Sequence, residues 1–331
     1  MSPRPQLRFF AVVLNWRRAE DTRRTIESLQ KAGLRDERII VVDNESSPDE
    51  MMVLSQTGEK VVVLPERENL GYAGGNNVGL RYAIDHGADA ILVLNNDAEV
   101  APDVFQQWET AFSSGERIGI VGAAVFDSDN GHLNNLGLDE GGAFVRDETL
   151  LECDLAPAYA PHGCAMVLRA AMLREIGLLD ERLFLMGEET DLAERARLAG
   201  WKILVAPKAR VKHEGGASFG GISPLKVYYS HRNTLLKWMN SLERGGAKAA
   251  GALEELRSRY EKASQQLVVH WVRQRKWAQA FAVAIARHDA LRGRWGRRQA
   301  SATFDPGAVV FVVRSIIIEL KKRSRGKKVS D

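Results

Sequence analysis

Only two cysteines, Cys153 and Cys164, occur in 331 residues, so at most one disulfide is available and a disulfide-stapled secreted architecture is excluded. No long apolar run is present. The longest candidate, Ala308 to Leu320, is broken by Arg314 and Glu319 and falls short of the roughly 20 residues a spanning helix needs. Met1 to Arg8 is polar and the apolar stretch behind it is too short for a cleavable signal. These absences describe a reduced, cytoplasmic chain that meets a membrane, if at all, from one side. Low-complexity tracts and internal repeats are lacking as well.

Three functional signatures are also missing. The turn after the first apolar run, Asn15-Trp16-Arg17-Arg18, has no glycine, whereas a dinucleotide fold needs a Gly-rich turn there. No G-x-x-x-x-G-K-[ST] phosphate loop and no G-x-S-x-G elbow occur. Oxidoreductase, P-loop kinase and α/β-hydrolase readings therefore lose their support together.

What is present is an ordinary globular composition, 45% hydrophobic and 27% charged, in a chain long enough for one large core with a smaller appendage. The net charge of +3 is unevenly spread. Residues 287–331 hold twelve Lys or Arg against four Asp or Glu, a net +8, which leaves −5 for the remainder. A basic end thus follows a mildly acidic body.

The first two-thirds alternates strand and helix signals. Strands are predicted at Phe9 to Leu14, Ile39 to Val42, Lys60 to Leu64, Ala90 to Leu94 and Ile118 to Phe126. Helices fall between them at Ala19 to Lys31, from Pro48, from Asn76 to His86 and after Pro102. The strands are nearly continuous apolar runs, the pattern of a mostly parallel sheet covered by helices on both faces. Asp127 to Gly142 reads as a long loop. Beyond it follow a strand at Ala165 to Leu168, helices at Ala170 to Ile176 and Glu188 to Ala199, and a strand at Lys202 to Val205. From Pro224 the chain reads as helical, with Gly245-Gly246 and Asp305-Pro306-Gly307 as breaks. A boundary near Asn240 divides a sheet domain, 1–240, from a helical, basic region, 241–331.

Two strands end in acids. Ala90 to Leu94 runs into Asn95-Asn96-Asp97 and Ile39 to Val42 into Asp43-Asn44. Ligands of open α/β sheets bind at that end, so the pair suggests one crevice for a cation and a polar ligand. Asn15 and Arg17 follow the first strand, where they face that ligand or, for Arg17, stand as a solvated helix-start charge. In Asn69 to Asn77, glycines Gly71, Gly74 and Gly75 permit close backbone approach, and a helix starting near Asn76 offers free N–H groups to an anion or a ribose. The carboxylates of Glu188, Glu189 and Asp191 cluster in one helical turn; they favour the helix dipole, and their mutual repulsion suits one of them to act as a base.

Val13-Leu14-Asn15-Trp16, Val41-Val42-Asp43-Asn44-Glu45-Ser46-Ser47, Asn69 to Asn77, Leu94-Asn95-Asn96-Asp97 and Gly187-Glu188-Glu189-Thr190-Asp191-Leu192 stand in this order. The series resembles family 2 glycosyltransferases over residues 7–240, most of all the rhamnosyltransferase-like and galactofuranosyltransferase-like branch. The resemblance implies a GT-A fold with a helical C-terminal extension, a nucleotide-diphosphate sugar donor such as a UDP- or TDP-sugar, a divalent cation (Mg²⁺ or Mn²⁺) and inversion at the anomeric carbon. It implies that Asp43, with Asn44, reads the base, that Asn95 and Asn96 line the donor, that Asp97 is the carboxylate left of the D-x-D motif, and that His213 completes the metal shell. It gives the base role to the second position of the acidic motif, occupied here by Glu189 where the family usually has Asp, so either Glu189 or Glu188 reaches the acceptor hydroxyl. Tyr228 to Asn233 is similar to an Arg-Asn helix near the acceptor side, with Arg232 facing the diphosphate, the acidic cluster or a structural partner. Gly163 and Cys164 fall where the acceptor-side strand begins, with Cys164 a small core residue.

The acceptor expected from the resemblance is a cell-surface glycan or a lipid-linked glycan. Lys321 to Lys328, six of whose eight residues are basic, suits an anionic membrane surface. No helix-turn-helix or aromatic-interleaved basic sheet points to nucleic acid. A sugar-nucleotide-making nucleotidyltransferase would need an Arg/Lys-bearing Gly-rich loop after the first strand, which is missing. A non-catalytic nucleotide-sugar-binding or scaffolding protein of glycan assembly remains the alternative, separable by sugar-nucleotide turnover.

Overall fold

The computed structural model describes residues 6–214, 222–245, 250–298 and 306–327. It forms two compact units, residues 6–181 with 188–214, and residues 182–187 with 222–327.

The first unit opens with β1 (Phe9–Asn15), α1 (Ala19–Lys31), β2 (Ile39–Asn44), α2 (Pro48–Ser55), β3 (Val62–Glu66), α3 (Gly71–Asp85) and β4 (Ala90–Asn95). These strands pair in parallel in the order β3-β2-β1-β4. Ile39 to Val42 and Ala90 to Val93 are all wholly buried, as expected of strands covered on both faces. Helix α2 starts where the sequence signals it, with Ser47 accepting the N–H of Glu50 and Pro48 in the first turn.

The chain continues through β5 (Ala98–Val100), α4 (Val104–Ser113), β6 (Ile118–Asp127), β7 (Leu133–Asn135), β8 (Ala156–Pro157), β9 (Ala165–Arg169), α5 (Ala170–Ile176), α6 (Glu188–Leu198) and β10 (Lys202–His213). Strand β9 lies antiparallel between β4 and β6, and β10 runs parallel to β6. The sheet is therefore mixed. The segment 127–142, expected as a loop, contains β7. Strand β10 is longer than expected: the pairing slips between Ala206 and Arg210, around Pro207, and then resumes to His213. That irregularity carries the strand on to the site.

The third strand begins two residues later than expected and α3 five residues earlier, at Gly71 rather than Asn76. The reason is packing. A Cβ on Gly75 would lie 2.4 Å from Leu14 Cδ1 and one on Gly79 2.4 Å from Val12 Cγ1. Helix and sheet are close enough that only glycine fits, so a glycine-rich stretch that reads as a turn is helical.

The second unit holds α7 (Pro224–Arg244), α8 (Ala250–Arg273), α9 (Trp277–Leu291) and α10 (Pro306–Lys327). Helix α7 belongs with α8 to α10, packing Val227, Tyr228 and Tyr229 into their core, whereas the sequence boundary near Asn240 left it with the sheet. Expected breaks at Gly246 and Asp305 lie outside the described residues.

Candidate active site

The carboxyl ends of β1, β2 and β4 gather the strand-end polar residues. Asn15 is fully buried; its Nδ2 donates to Asp43 Oδ1 at 2.9 Å and Ser46 Oγ at 3.0 Å, while its Oδ1 accepts from Thr22 Oγ1 at 2.7 Å. Asn15 thus orients Asp43. Arg17 has a left-handed backbone, φ +56°, and a side chain 63% exposed, 3.9 Å from Glu45. Asn44 does not point outward. It donates to Asn69 Oδ1 and Gly71 O and accepts the N–H of Leu70, which ties β2 to the start of α3.

Because α3 begins at Gly71, the expectation that Asn76 opens the helix is corrected. The amide of Gly71 is already taken by Asn69 Oδ1; Gly71 itself is left-handed, φ +74°. Gly74 and Gly75 make room for Leu70 and Leu14. Asn76 is buried, donates to Tyr72 O and leaves its own carbonyl oxygen without a partner.

At the end of β4, Asn96 turns back onto α1, donating to Thr22 Oγ1 at 3.2 Å, and its carbonyl accepts from Thr25 Oγ1. It fixes the turn that presents Asp97. Asp97 and His213 meet, with Oδ1 3.1 Å from Nε2 and side chains only 5% and 10% exposed. Asn95 Nδ2 sits 3.4 Å from the same imidazole nitrogen. Burial pushes the Asp97 carboxyl up, but the His213 hydrogen bond and charge, with Arg18 farther off, outweigh it and hold it below the usual carboxylate range.

The sequence reading missed His162. Its ring packs edge-on to that of His213, centroids 5.7 Å apart, and its Nδ1 accepts the Cys164 N–H at 3.2 Å. Cys164 is buried, and burial with the nearby Asp97 charge pushes its thiol well up. Ligand-type atoms of His162, Cys164 and His213 all lie within 4.8 Å of one another. The available signal was the triplet His162-Gly163-Cys164, of which Gly163 and Cys164 were picked out and the histidine was not.

The acidic turn of α6 also lies beside this triplet. A Cβ placed on Gly163 would lie 3.8 Å from Glu189 Oε2 and 3.7 Å from the Tyr72 hydroxyl. Tyr72 donates to Gly163 O at 2.5 Å, and burial together with Glu188 and Glu189 pushes its phenol well up. Glu188 is buried and Glu189 half-buried. Asp191 is occupied differently: it pairs with Arg195 at 2.9 Å, and that guanidinium donates onward to the carbonyls of Ile176, Gly177 and Leu178. Through Arg195 its carboxylate anchors α6 to the end of α5.

Arg232 lies in the helical unit, 1% exposed, donating to the carbonyls of Gly296, Arg182 and Leu183 and to Asn233 Oδ1. Of the three uses open to this guanidinium, its partners here are structural, carbonyls and an amide rather than a carboxylate. Asn233 grips the carbonyls of Leu183, Leu185 and Met186, in a segment where Phe184 and Met186 adopt left-handed backbones, φ +62° and +77°. Such residues cost about 1–3 kcal/mol each and persist only when held.

A family model described as glycosyltransferase like family 2 matches residues 5–233. A low-salt glycan biosynthesis hexosyltransferase of Haloferax volcanii is 28% identical over 193 residues, 56% of this chain and 60% of that protein. The N-acetylglucosaminyl-diphospho-decaprenol L-rhamnosyltransferase of Mycobacterium tuberculosis is 25% identical over 240 residues, 64% of this chain and 78% of that protein. The chain thus spans under two-thirds of the first relative's length. Among solved structures, a mannosyltransferase from Pyrobaculum calidifontis, in complex with GDP-Man and Mn²⁺, superposes with a TM-score of 0.53 at 14% identity, covering 99% of this chain and 84% of that one. At that identity the likeness speaks for the fold, a GT-A mixed sheet flanked by helices.

Proposed function

Since the chain belongs to glycosyltransferase family 2, we propose that its sheet unit moves a hexose, rhamnose-like or other, from a UDP- or TDP-sugar to a hydroxyl of a cell-surface or lipid-linked glycan, with inversion. One observation carries this reading: the Asp97–His213 pair and Glu189 flank the same three-residue run, His162-Gly163-Cys164. On this reading the group that meets the leaving diphosphate and the group that accepts the proton gather at one strand entry.

In the proposed mechanism Asp43, held by Asn15, accepts the ring N–H of the base. Arg17, exposed and able to swing, meets a phosphate. Asp97 and His213 hold a divalent cation, Mg²⁺ or Mn²⁺; a buried carboxylate beside an imidazole is a donor set that fits such ions. When bound, the cation supplies charge neutralisation for the departing nucleoside diphosphate. Glu189 takes the proton from the acceptor hydroxyl as its oxygen attacks the anomeric carbon, Glu188 supporting it. One displacement inverts the centre and needs no covalent intermediate on the protein.

The acceptor's membrane setting has support of its own. On α10, Ala308, Phe311, Val312 and Ser315 are buried, while Val310, Val313 and Ile317 are 65%, 49% and 45% exposed. This bare apolar face precedes the basic run Lys321 to Lys328, whose side chains lie outside the described residues. No helix among the described residues is long and apolar enough to cross a membrane, so the proposed contact is with an anionic surface.

The donor site is tested by calorimetric titration of Asp97→Ala with nucleoside diphosphate and Mn²⁺. The Mn²⁺-dependent part of the affinity is expected to vanish at unchanged melting temperature; affinity equal to wild type removes the cation assignment. A chain that binds donor tightly yet transfers sugar to no glycan acceptor is the binding protein of the alternative reading.

A further inference from the structure

We propose that His162 and Cys164 turn the cation site into a transition-metal site, one that takes Co²⁺ or Zn²⁺ through His162, Cys164 and His213, beside Asp97, in preference to Mg²⁺ and without a nucleotide. The inference rests on the reading in which Asp97 and His213 hold the donor's cation, and it adds two ligands which that reading does not need.

The geometry is close to what one ion requires. Zinc–ligand distances of about 2.0–2.2 Å to nitrogen and oxygen place two such ligands of a tetrahedral ion about 3.3 Å apart; Asp97 Oδ1 and His213 Nε2 are 3.1 Å apart. The ligand-type atoms of His162, Cys164 and His213 lie within 4.8 Å of one another, so a small contraction encloses an ion. The Cys164 N–H directed at His162 Nδ1 selects the neutral tautomer with its proton on Nε2. A cation that binds through Nδ1 displaces that 3.2 Å backbone hydrogen bond. Cys164 joins as thiolate, its proton passing to solvent as the sulfur–metal bond forms.

The donor set decides the metal. Two imidazoles and a thiolate beside one carboxylate are borderline-to-soft ligands; Mg²⁺ prefers oxygen and keeps its waters, whereas Co²⁺ and Zn²⁺ gain from nitrogen and sulfur. Three protein atoms leave a fourth position open, to Asp97 or to water, as in catalytic zinc sites.

The test titrates Co²⁺ into the chelator-treated full-length chain and follows absorption. Expected are visible bands of a low-coordinate ion together with a near-ultraviolet thiolate-to-cobalt band, both persisting in a large excess of Mg²⁺ and bleached by equimolar Zn²⁺. His162→Gln, at a half-buried position, should weaken Co²⁺ binding by about tenfold or more. Cys164→Ser should remove the near-ultraviolet band and weaken Co²⁺ binding, with melting curves to confirm that this buried position still folds. Equal Co²⁺ affinity in wild type and His162→Gln overturns the proposal, as does absence of the thiolate band. The two readings fail separately. If Asp97→Ala abolishes Mn²⁺-dependent nucleotide binding while His162→Gln leaves Co²⁺ binding unchanged, the donor site stands and this inference falls. If Co²⁺ binds through His162 and Cys164 while nucleotide affinity ignores Asp97, the donor reading is the one that fails.

Discussion

In the sheet unit, Asp97, His213, His162, Cys164 and Glu189 meet at one strand entry, and the contacts of the buried carboxylate run to an imidazole. In the helical unit, Arg232, Asn233, His231 and Tyr228 are just as buried. There the polar atoms go to backbone carbonyls, a serine and a buried Asp289: Arg232 to three carbonyls, Asn233 to three, His231 to Ser264 Oγ at 2.8 Å, Tyr228 to Asp289 at 2.7 Å. Burial of a polar side chain therefore does not mark function. What separates the two units is that Arg232 and Asn233 satisfy backbone carbonyls that the fold must pair, whereas the Asp97 carboxylate meets an imidazole, a partner it can share with a cation.

The comparison is tested hardest at Glu189. Glu189→Gln keeps the shape and loses the base, so turnover at saturating donor and acceptor should fall roughly 10²- to 10⁴-fold while donor binding and melting stay put. Glu188→Gln should cost less. If both retain wild-type turnover, the acidic turn is as structural as Asp191 and the contrast between the units collapses.

Arg232→Met probes the other side. It strips donors from the carbonyls of Gly296, Arg182 and Leu183, and a loss of about 3 kcal/mol or more in the stability of the helical unit is expected, read by denaturant unfolding. Unchanged stability with lost transfer would return Arg232 to the reaction.

His231 gives a pH signature of comparable or smaller size. Burial lowers its pKa to about 4, with Tyr260 stacked on the ring at 4.7 Å. The unfolded chain, with a histidine pKa of about 6.5, binds a proton that the folded chain refuses. Stability is therefore fully present above pH 6.5 and is lost as pH falls toward 4, by on the order of 3 kcal/mol from this group. Unfolding of wild type and His231→Gln at pH 7 and at pH 4.5 measures it; equal pH slopes would contradict the assignment.

The smallest effect is expected at the tail. Deletion after Leu320 should leave turnover on a soluble acceptor unchanged and reduce co-sedimentation with anionic vesicles at low salt, since each basic residue contributes on the order of 1 kcal/mol near such a surface. Identical sedimentation would show that the run does not anchor the chain.

Much of the sheet unit was legible because fully buried parallel strands advertise themselves as apolar runs ending in polar turns, as at Asp43 and Asp97. The start of α3 was not. Glycine's low helix propensity argues for a turn, and only the closeness of Leu14 and Val12 explains why Gly75 and Gly79 sit in a helix. Pro207 hid the continuity of β10, because a strand with a register slip reads as two short ones. Asp191 reads with the acidic turn and Arg232 from the resemblance; Asp191 pairs with Arg195 one helical turn on, a spacing the sequence does offer, whereas no side-chain pattern announces the carbonyl partners of Arg232. His162 belongs to no spacing motif and is brought to His213 only by the turn ahead of β9.

Gly163 sets a length. Between the histidine that faces His213 and the cysteine beneath it, the only residue is one without a side chain, with Tyr72 bracing its carbonyl and Glu189 lying alongside. His162 to Ala165 is a hydrogen-bonded turn, the Ala165 N–H donating to His162 O at 3.3 Å, so the spacing of the imidazole, the thiol and the carboxylate alongside is fixed by main chain rather than by any side chain. On the proposed mechanism, side-chain changes around the crevice would retune which sugar is welcome, whereas an insertion or deletion in that turn would change the reach from proton acceptor to leaving group.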